Sequence, residues 1–243
     1  MYQDQKVAVI IPAYNEAPSI GPVVREVMAM NYNGQRLVDK VIVCDNASTD
    51  DTAKLAAHHG AHVIFEPVLG YGRACQSALT QIEDADVVVF IDGDHSACAN
   101  EIPLLLQAWA SGADLVIGSR TKGICAKGAL LPHQIFGNRL ATTLTSLWWH
   151  QSVTDLGPFR AIDAEVLQTL NMQDLAYGWT MEMQAKALAL NMQLVEVPVS
   201  TRKRIGTSKV SGTLRGTLGA TLGILGMLVK VAWKYRTRRK SKL

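Results

Sequence analysis

Cysteine is scarce in this sequence, and its four copies stand apart from one another at Cys44, Cys75, Cys98 and Cys125. No two of them have the Cys-X-X-Cys spacing of zinc ribbons and dithiol redox sites, so neither kind of site is expected. We predict free, mostly buried thiols in a reducing cytosol. Residues 1–6 are polar and lead directly into an apolar run, which does not fit a secretory signal and favours a cytoplasmic location.

Charge is also sparse: charged residues make up 19% of the chain and hydrophobic residues 48%. This balance suggests that some apolar surface contacts something other than water. A simple membrane crossing is nevertheless disfavoured, because residues 216–229 give only fourteen uncharged positions and a spanning helix needs about 20. Seven Lys and Arg make the tail over 230–243 basic, whereas residues 1–229 carry a net charge of about −4.

The C-terminal segment 213–243 is therefore predicted to form an amphipathic helix on a membrane surface, with its basic tail on anionic headgroups. This places the protein as a peripheral partner of the inner membrane face. The alternative is a helix that packs on the rest of the protein or in a homodimer interface, which the spacing of Gly219 and Gly223 would permit. We expect no nucleic-acid partner.

The rest of the chain, 1–212, alternates short apolar runs with helical patterns and is predicted to be one domain. Strands are expected at 7–12, 38–44, 61–65, 86–91, 114–118, 153–161 and 193–201. Helices are expected at 19–30, 48–59, 71–82, 102–111, 137–150 and 180–190. This alternation predicts an α/β fold with a Rossmann-like, mostly parallel sheet flanked by helices.

Asp92-Gly93-Asp94 follows the fourth predicted strand directly, where ligands bind in sheets of this kind. Two carboxylates spaced i, i+2 in a turn can face one divalent cation, and their hard oxygen atoms suit Mg²⁺ or Mn²⁺. A diphosphate would supply the remaining oxygen ligands. The alternative is an Asp-rich turn that only caps a helix.

Three segments taken together resemble family 2 glycosyltransferases in order and spacing. They are Val9-Ile10-Ile11-Pro12-Ala13-Tyr14-Asn15-Glu16, Val43-Cys44-Asp45-Asn46-Ala47-Ser48-Thr49-Asp50 and Asp92-Gly93-Asp94. Gly118-Ser119-Arg120 and the segments 155–160 and 204–209 are similar to the branch that contains the dolichyl-phosphate mannose and glucose synthases. The resemblance implies a GT-A fold, a divalent metal and a nucleotide-sugar donor.

The resemblance also implies which residues bind the donor. Its base and ribose would contact Pro12, Ala13, Tyr14, Glu16 and Asp45, and its diphosphate would lie at Asp92, Gly93 and Asp94. From the residues themselves, Gly70-Tyr71-Gly72-Arg73 could form an anion site at a helix N-terminus, with Arg73 adding charge; a plain turn and helix start is the alternative. One departure is that many family members carry Asp-Asp-Gly-Ser where this chain has Asp45-Asn46-Ala47-Ser48.

Cations that could bind a phosphorylated acceptor follow in the second half, where arginine can grip phosphate oxygens bidentately. They are Arg120, Arg139, Arg160, Arg204 and Lys209. The resemblance also implies a carboxylate base, for which Glu182 and Asp155 are the candidates, beside Asp94 as metal ligand. A phosphate acceptor is already anionic at neutral pH and needs no strong base, so Glu182 could instead orient an arginine.

These features predict transfer of a hexose, with inversion, from a UDP- or GDP-sugar to a polyprenyl phosphate. Transfer to a soluble phosphorylated acceptor such as phosphoglycerate is the first alternative. A non-catalytic membrane module that binds a nucleotide sugar is the second. A nucleotidyltransferase is disfavoured because Pro12–Glu16 stands where such enzymes carry a glycine-rich loop with a basic residue.

Overall fold

The computed structural model describes residues 1–206 and 214–240, with side chains of the last helix described at 219 and 221–235. Strands and helices alternate along the chain as the sequence predicts. In chain order they are β1 (Val7–Ala13), α1 (Ala17–Met28), β2 (Asn31–Tyr32), β3 (Gln35–Arg36), β4 (Lys40–Asp45), α2 (Thr52–His58), β5 (His62–Phe65), α3 (Tyr71–Leu79), β6 (Val87–Phe90), α4 (Ile102–Ala110), β7 (Leu115–Ser119), α5 (Pro132–Trp149), β8 (Arg160–Asp163), α6 (Ala164–Leu170), α7 (Trp179–Ala189), β9 (Leu194–Pro198) and α8 (Leu214–Lys240).

Within the described chain, seven strands form the central sheet in the order β5-β4-β1-β6-β8-β7-β9. β1 pairs in parallel with β4 and β6, β4 with β5, and β7 with β9. Only β8 is antiparallel to its neighbours β6 and β7. The predicted α/β class and the mostly parallel sheet are therefore confirmed.

The sheet is covered on both faces, which is why its central strands are apolar without alternation. Every residue of β1 is buried. Val9 and Ile11 pack in a cluster with residues of α1 and α4 on one face. Ile10, on the opposite face, packs with residues of α3, α6 and α7. This sandwich fixes the carboxyl ends of β1, β4 and β6 beside one another, where the site loops begin.

The second half differs from the prediction in three places. The expected strand 153–161 is wrong for most of its length, because β8 covers only Arg160–Asp163 and Thr154 and Asp155 bond to side chains rather than to a neighbouring strand. Helix α5 begins at Pro132 instead of 137, with Pro132 at its first turn, where proline costs no hydrogen bond. Helix α6 was not predicted, and Asp163 caps it by accepting from two backbone N–H groups.

Helix α8 lies against α7 and α5 rather than standing apart from the domain. Met227, Leu228 and Val231 are buried against residues of those two helices, while Leu222 and Val229 on its outer side are 70% and 56% exposed. None of the described helices combines the length and the apolar character needed to cross a bilayer. The division of the chain at residue 212 stays a prediction.

Candidate active site

The loops that follow β1, β4 and β6 enclose a cavity of about 340 Å³, which we call the main cleft. Its walls come from residues far apart in sequence, because parallel strands deliver their carboxyl ends to one edge of the sheet. The lining residues are Pro12, Ala13, Tyr14, Glu16, Asn46, Leu69, Gly70, Tyr71, Ala74, Asp92, Gly93, Asp94, Tyr177 and Arg204.

Asp92 and Asp94 both line this cleft, immediately after the buried strand β6. The Tyr71 hydroxyl donates a hydrogen bond of 3.1 Å to Asp92. Burial, and then the neighbouring charge of Asp94, raise the pKa of Asp92 to about 7. Asp94 is 3% exposed, accepts the Ser96 N–H at 2.9 Å and forms an ion pair with Arg204.

This pair of carboxylates fits a hard divalent cation. Burial first, and then the charge of Asp94, disfavour the ionised form of Asp92 and so raise its pKa; a divalent cation bound by both carboxylates would offset both effects. Among the described residues, no group of three or more His, Cys, Asp or Glu side chains is arranged to hold a metal. The chain would therefore contribute two carboxylates, and a bound diphosphate would have to complete the coordination.

The loop after β1, which the resemblance assigns to the donor base and ribose, lines the same cleft with Pro12, Ala13, Tyr14 and Glu16. Glu16 is 9% exposed; its backbone N–H donates to Thr52 and its carboxylate accepts from the Ser19 hydroxyl at 2.9 Å. Asp45 ends β4, is buried, and accepts the Ser48 N–H. The next residue, Asn46, stands where many family members carry aspartate, and it is Asn46 that lines the cleft here.

The predicted anion site at the start of α3 is wrong, because another part of the chain occupies it. The N–H groups of Gly72 and Arg73 donate to backbone carbonyls of Ala176 and Leu175 at 3.1 Å each. A Cβ added at Gly72 would lie 2.1 Å from the Asp174 carbonyl oxygen. The small residue at this position therefore permits close packing of the 174–176 segment. Arg73 is half-buried on α3 and does not line the main cleft.

Arg120 lies in a second, smaller cavity of about 70 Å³, the side pocket, which shares Asp92 and Arg204 with the main cleft. Asp155 fixes it: the fully buried carboxylate accepts from Arg120 Nε at 2.8 Å, from Nη2 at 2.6 Å and from the backbone N–H at 2.7 Å. The predicted base Asp155 therefore holds an arginine, and its oxygen atoms are already engaged.

Three other predicted site residues lie away from both cavities. Glu182 is 2% exposed; it accepts backbone N–H groups of the 173–174 segment and pairs with Lys186 at 2.7 Å, so the arginine expected beside it is replaced by a lysine. Arg160 is 1% exposed and donates to the carbonyl of Thr180, and burial lowers its pKa to about 10. Arg139 is exposed on α5.

Arg204 is the second acceptor-side cation that the fold brings to the site, since it lines both cavities and pairs with Asp94. The predicted phosphate ligand Lys209 lies outside the described residues. Two residues that sequence reasoning missed also belong here. Tyr71 and Asn46 stand beside Arg73 and Asp45 in the predicted site motifs, and the charge of those neighbours is the stronger sequence signal.

The comparison with protein families agrees with this geometry. Residues 8–170, which include the loop after β1 and the paired carboxylates, match the profile of glycosyl transferase family 2. The chain belongs to this family. An uncharacterized glycosyltransferase of Mycobacterium tuberculosis is 35% identical over 224 residues, which cover 89% of this chain and 94% of that protein. The dolichyl-phosphate hexose transferase of Haloferax volcanii is 30% identical over 241 residues, 98% of each chain.

Solved structures show the same fold. Glucosyl-3-phosphoglycerate synthase from Mycobacterium tuberculosis, in complex with Mn²⁺, uridine diphosphate and phosphoglyceric acid, superimposes with a TM-score of 0.75. The match covers 94% of this chain and 79% of the synthase at 22% identity. A complex of the same synthase with Mg²⁺ and uridine diphosphate also gives 0.75. At this identity the likeness is one of fold.

In this glycosyltransferase, α1 also supports the carboxylate loop from outside the cleft. Glu26 accepts from Arg202 at 2.7 Å and 3.0 Å and contacts His95 Nε2 at 2.8 Å. Arg202 in turn donates to the carbonyl of Ala97. His95 follows Asp94, and Arg202 comes two positions before Arg204, so Glu26 ties both segments that carry the Asp94–Arg204 pair to one helix.

Proposed function

We propose that this enzyme transfers a hexose from a UDP- or GDP-sugar to a polyprenyl phosphate, of the dolichyl type, at the inner membrane surface. The proposal rests on the observation that the main cleft and the side pocket share part of their wall. Asp92 and Arg204 line both of them, so a donor diphosphate in the main cleft and an anionic acceptor held at Arg120 in the side pocket would meet across that wall.

The main cleft has the features that a nucleotide-sugar donor needs. The wall formed by Pro12, Ala13, Tyr14 and Glu16 would contact base and ribose, and the carboxylate of Glu16 can accept hydrogen bonds from hydroxyl groups. Asp92 and Asp94 would hold Mg²⁺ or Mn²⁺ against the diphosphate. The cation would supply charge stabilisation to the departing nucleoside diphosphate. Tyr71 keeps Asp92 oriented toward the cleft through its hydrogen bond.

The acceptor half of the proposal follows from Arg120. Asp155 occupies two of its side-chain N–H groups and leaves three of the five for another acceptor. A phosphate monoester held there is an anionic nucleophile already, so a single inverting displacement needs no general base. This agrees with the placement of Glu182 and Asp155, whose carboxylates are buried and engaged by other groups.

An apolar surface beside the side pocket favours a lipid rather than a small soluble acceptor. Leu130 and Gln134 line the pocket, and the next positions along α5 turn outward, with Ile135 52% exposed and Phe136 70% exposed. Ile124, on the loop before α5, is 77% exposed. Such side chains could follow an isoprenoid chain from the pocket toward a membrane. The similarity to a dolichyl-phosphate hexose transferase supports the same acceptor class.

The test is transfer of a radiolabelled hexose from UDP- and GDP-sugars to polyprenyl phosphate with Mn²⁺, followed by organic extraction. We expect label in the lipid phase with the wild-type protein. Asp94→Asn should lower turnover at least about a hundredfold, because it removes a carboxylate ligand of the cation that would stabilise the leaving group. Asp51→Asn, at an exposed position with no side-chain capping bond, is the matched control and should retain activity.

Other outcomes separate the alternatives. Label that stays in water, and appears only when phosphoglycerate is supplied, would replace the lipid acceptor by a soluble one. Binding of a nucleoside diphosphate without any turnover would point to a non-catalytic module. Normal turnover by Asp94→Asn, with the fold intact, would refute the assignment of the carboxylate pair as the metal site.

A further inference from the structure

Glu196 is a buried acid that has no role in the proposed chemistry. It lies in β9, at the edge of the sheet beside β7, yet its side chain is only 2% exposed. A carboxylate at such a position must be compensated by hydrogen bonds, since burial without them is costly. Its partners therefore show what it does.

The partners of Glu196 are all in the segments next to Arg120. Its oxygen atoms accept from the Thr154 N–H at 2.7 Å, the Thr154 hydroxyl at 2.8 Å and the Asp155 N–H at 3.1 Å. Lys122 pairs with it at 2.9 Å from a half-exposed position. Thr154 and Asp155 belong to an irregular connection that no strand ladder holds. Glu196 fixes its backbone N–H groups, while Asn138 donates to the Thr154 carbonyl from the other side.

The next link is the carboxylate of Asp155, which holds the side chain and the backbone N–H of Arg120. Asp155 makes these three contacts from a fully buried position. Any shift of the 154–155 segment is therefore transmitted to the guanidinium in the side pocket. The series Glu196, Asp155, Arg120 runs from the outer strand to the cavity wall through hydrogen bonds of 2.6–3.1 Å.

We propose that Glu196 is a positioning residue for the acceptor: it holds Asp155 so that Arg120 presents its remaining N–H groups to the acceptor phosphate. This inference rests on the proposed function, in which the side pocket receives that phosphate. Oε1 of Glu196 accepts both backbone N–H groups, and Oε2 accepts the Thr154 hydroxyl and pairs with Lys122. Glutamine would therefore turn an NH₂ group toward the hydroxyl and the ammonium, because an amide has only one acceptor oxygen, and the lost ion pair would loosen its hold on the 154–155 segment. The guanidinium would then lose its fixed direction, while the main cleft keeps its own residues.

The experiment compares wild type with Glu196→Gln in steady-state transfer and in direct binding. We expect the KM for polyprenyl phosphate to rise about tenfold, as small misplacements of a binding group do, with the donor KM and donor hydrolysis changed less than twofold. The Kd for a water-soluble short-chain prenyl phosphate, measured by calorimetry, should rise by the same factor. Glu165→Gln, at an exposed position on α6, is the matched control and should change neither constant.

A double-mutant cycle separates positioning from a general structural role. With Arg120→Ala already present, Glu196→Gln should add little to the acceptor KM, because the two residues act in series. Should Glu196→Gln fail to fold, Thr154→Val removes one donor to Glu196 and gives the same comparison. An unchanged acceptor KM and Kd, or fully additive effects, would overturn the inference. Wild-type protein that binds prenyl phosphate without transferring hexose would overturn the proposed function alone.

Discussion

Asn46 stabilises one wall of the main cleft with its whole side-chain amide. It donates to the backbone carbonyls of Glu66 at 3.1 Å and Val68 at 2.8 Å, and accepts the Gly70 N–H at 2.8 Å. An aspartate, as many family members have here, could not donate to the two carbonyls. Ala47 next to it has φ of 58°, the left-handed region that glycine adopts more readily. The departure from the family pattern thus changes how the 66–70 loop is held.

Glu26 gives a prediction about pH, because hydrogen bonds from Arg202 lower its pKa from 4.5 to about 2, with His95 as a further contributor. A folded-state pKa below the unfolded value means that the stabilisation is present above about pH 4.5 and is lost as the pH falls toward 2. Glu26→Gln should therefore be less stable than wild type at pH 6, and the difference should shrink as the pH falls from 5 to 2.

Urea unfolding of both proteins across this pH range measures the effect. The exposed Glu165→Gln is the control and should show no pH-dependent difference of this kind. A gap between wild type and Glu26→Gln that stays constant from pH 6 to pH 2 would contradict the assignment.

Residues that act beside a strand end were predictable, and residues that act through contacts between distant segments were not. Asp92 and Asp94 follow an apolar strand, so the sequence placed them at the cleft. The Arg202–Glu26 pair joins positions 176 residues apart, and only the arrangement of the sheet brings them together. Charge alone was misleading for Arg160, which is buried and bonded to backbone carbonyls.

Strands and helices that follow from the hydrophobic pattern were predicted well. Segments whose path depends on hydrogen bonds from polar side chains were predicted poorly. Buried strands such as β1 and β6 have continuous apolar sequences, which is the pattern of a covered parallel sheet. The 153–159 segment has apolar residues too, yet side-chain hydrogen bonds, among them those of Glu196 to Thr154 and Asp155, hold its first residues in an irregular path. Local sequence contains no sign of that partner, because it lies about 40 positions later in another strand.

Packing of the 174–176 segment on α3 can be tested with one methyl group. A Cβ at Gly72 would lie 2.1 Å from the Asp174 carbonyl oxygen, a backbone atom that cannot rotate away. We expect Gly72→Ala to cost at least about 1–3 kcal/mol of stability, the usual range for overpacking. Since Tyr71 and Tyr177, which flank this contact in sequence, both line the main cleft, binding of a nucleoside diphosphate should weaken as well.

Gly137→Ala is the matched control, because it also lies inside a helix but a Cβ there meets nothing within 4 Å. It should stabilise the protein by about 0.5–1 kcal/mol through the ordinary helix preference of alanine. Thermal unfolding of both variants, with and without uridine diphosphate, gives the comparison. Equal stability of Gly72→Ala and wild type would show that the 174–176 segment does not pack on α3 in this way.

At the scale of the whole molecule, apolar surface is concentrated on two helices that pack on each other. On α5, Phe136 is 70% exposed and Leu147 67% exposed; on α8, Leu222 is 70% exposed. The inner sides of both helices meet in one buried cluster that includes Ala141 and Leu228. Helix α8 is thus packed on the domain and still has apolar side chains on its outer side. Packing on the domain and contact with a membrane surface are therefore compatible for this helix.

If the acceptor is a lipid, this surface should bind membranes, and α5 should contribute as well as α8. We expect co-sedimentation with vesicles of phosphatidylcholine and phosphatidylglycerol, weakening as NaCl is raised because the basic residues act through screened charge. Phe136→Glu should lower vesicle affinity at least about tenfold, since a buried phenyl group contributes about 1.5–3 kcal/mol. Phe65→Glu is the control: Phe65 is 65% exposed but lies on β5, at the other edge of the sheet from β9. Equal loss in both variants, or none in Phe136→Glu, would mean that α5 does not face the lipid and that the acceptor reaches Arg120 by another route.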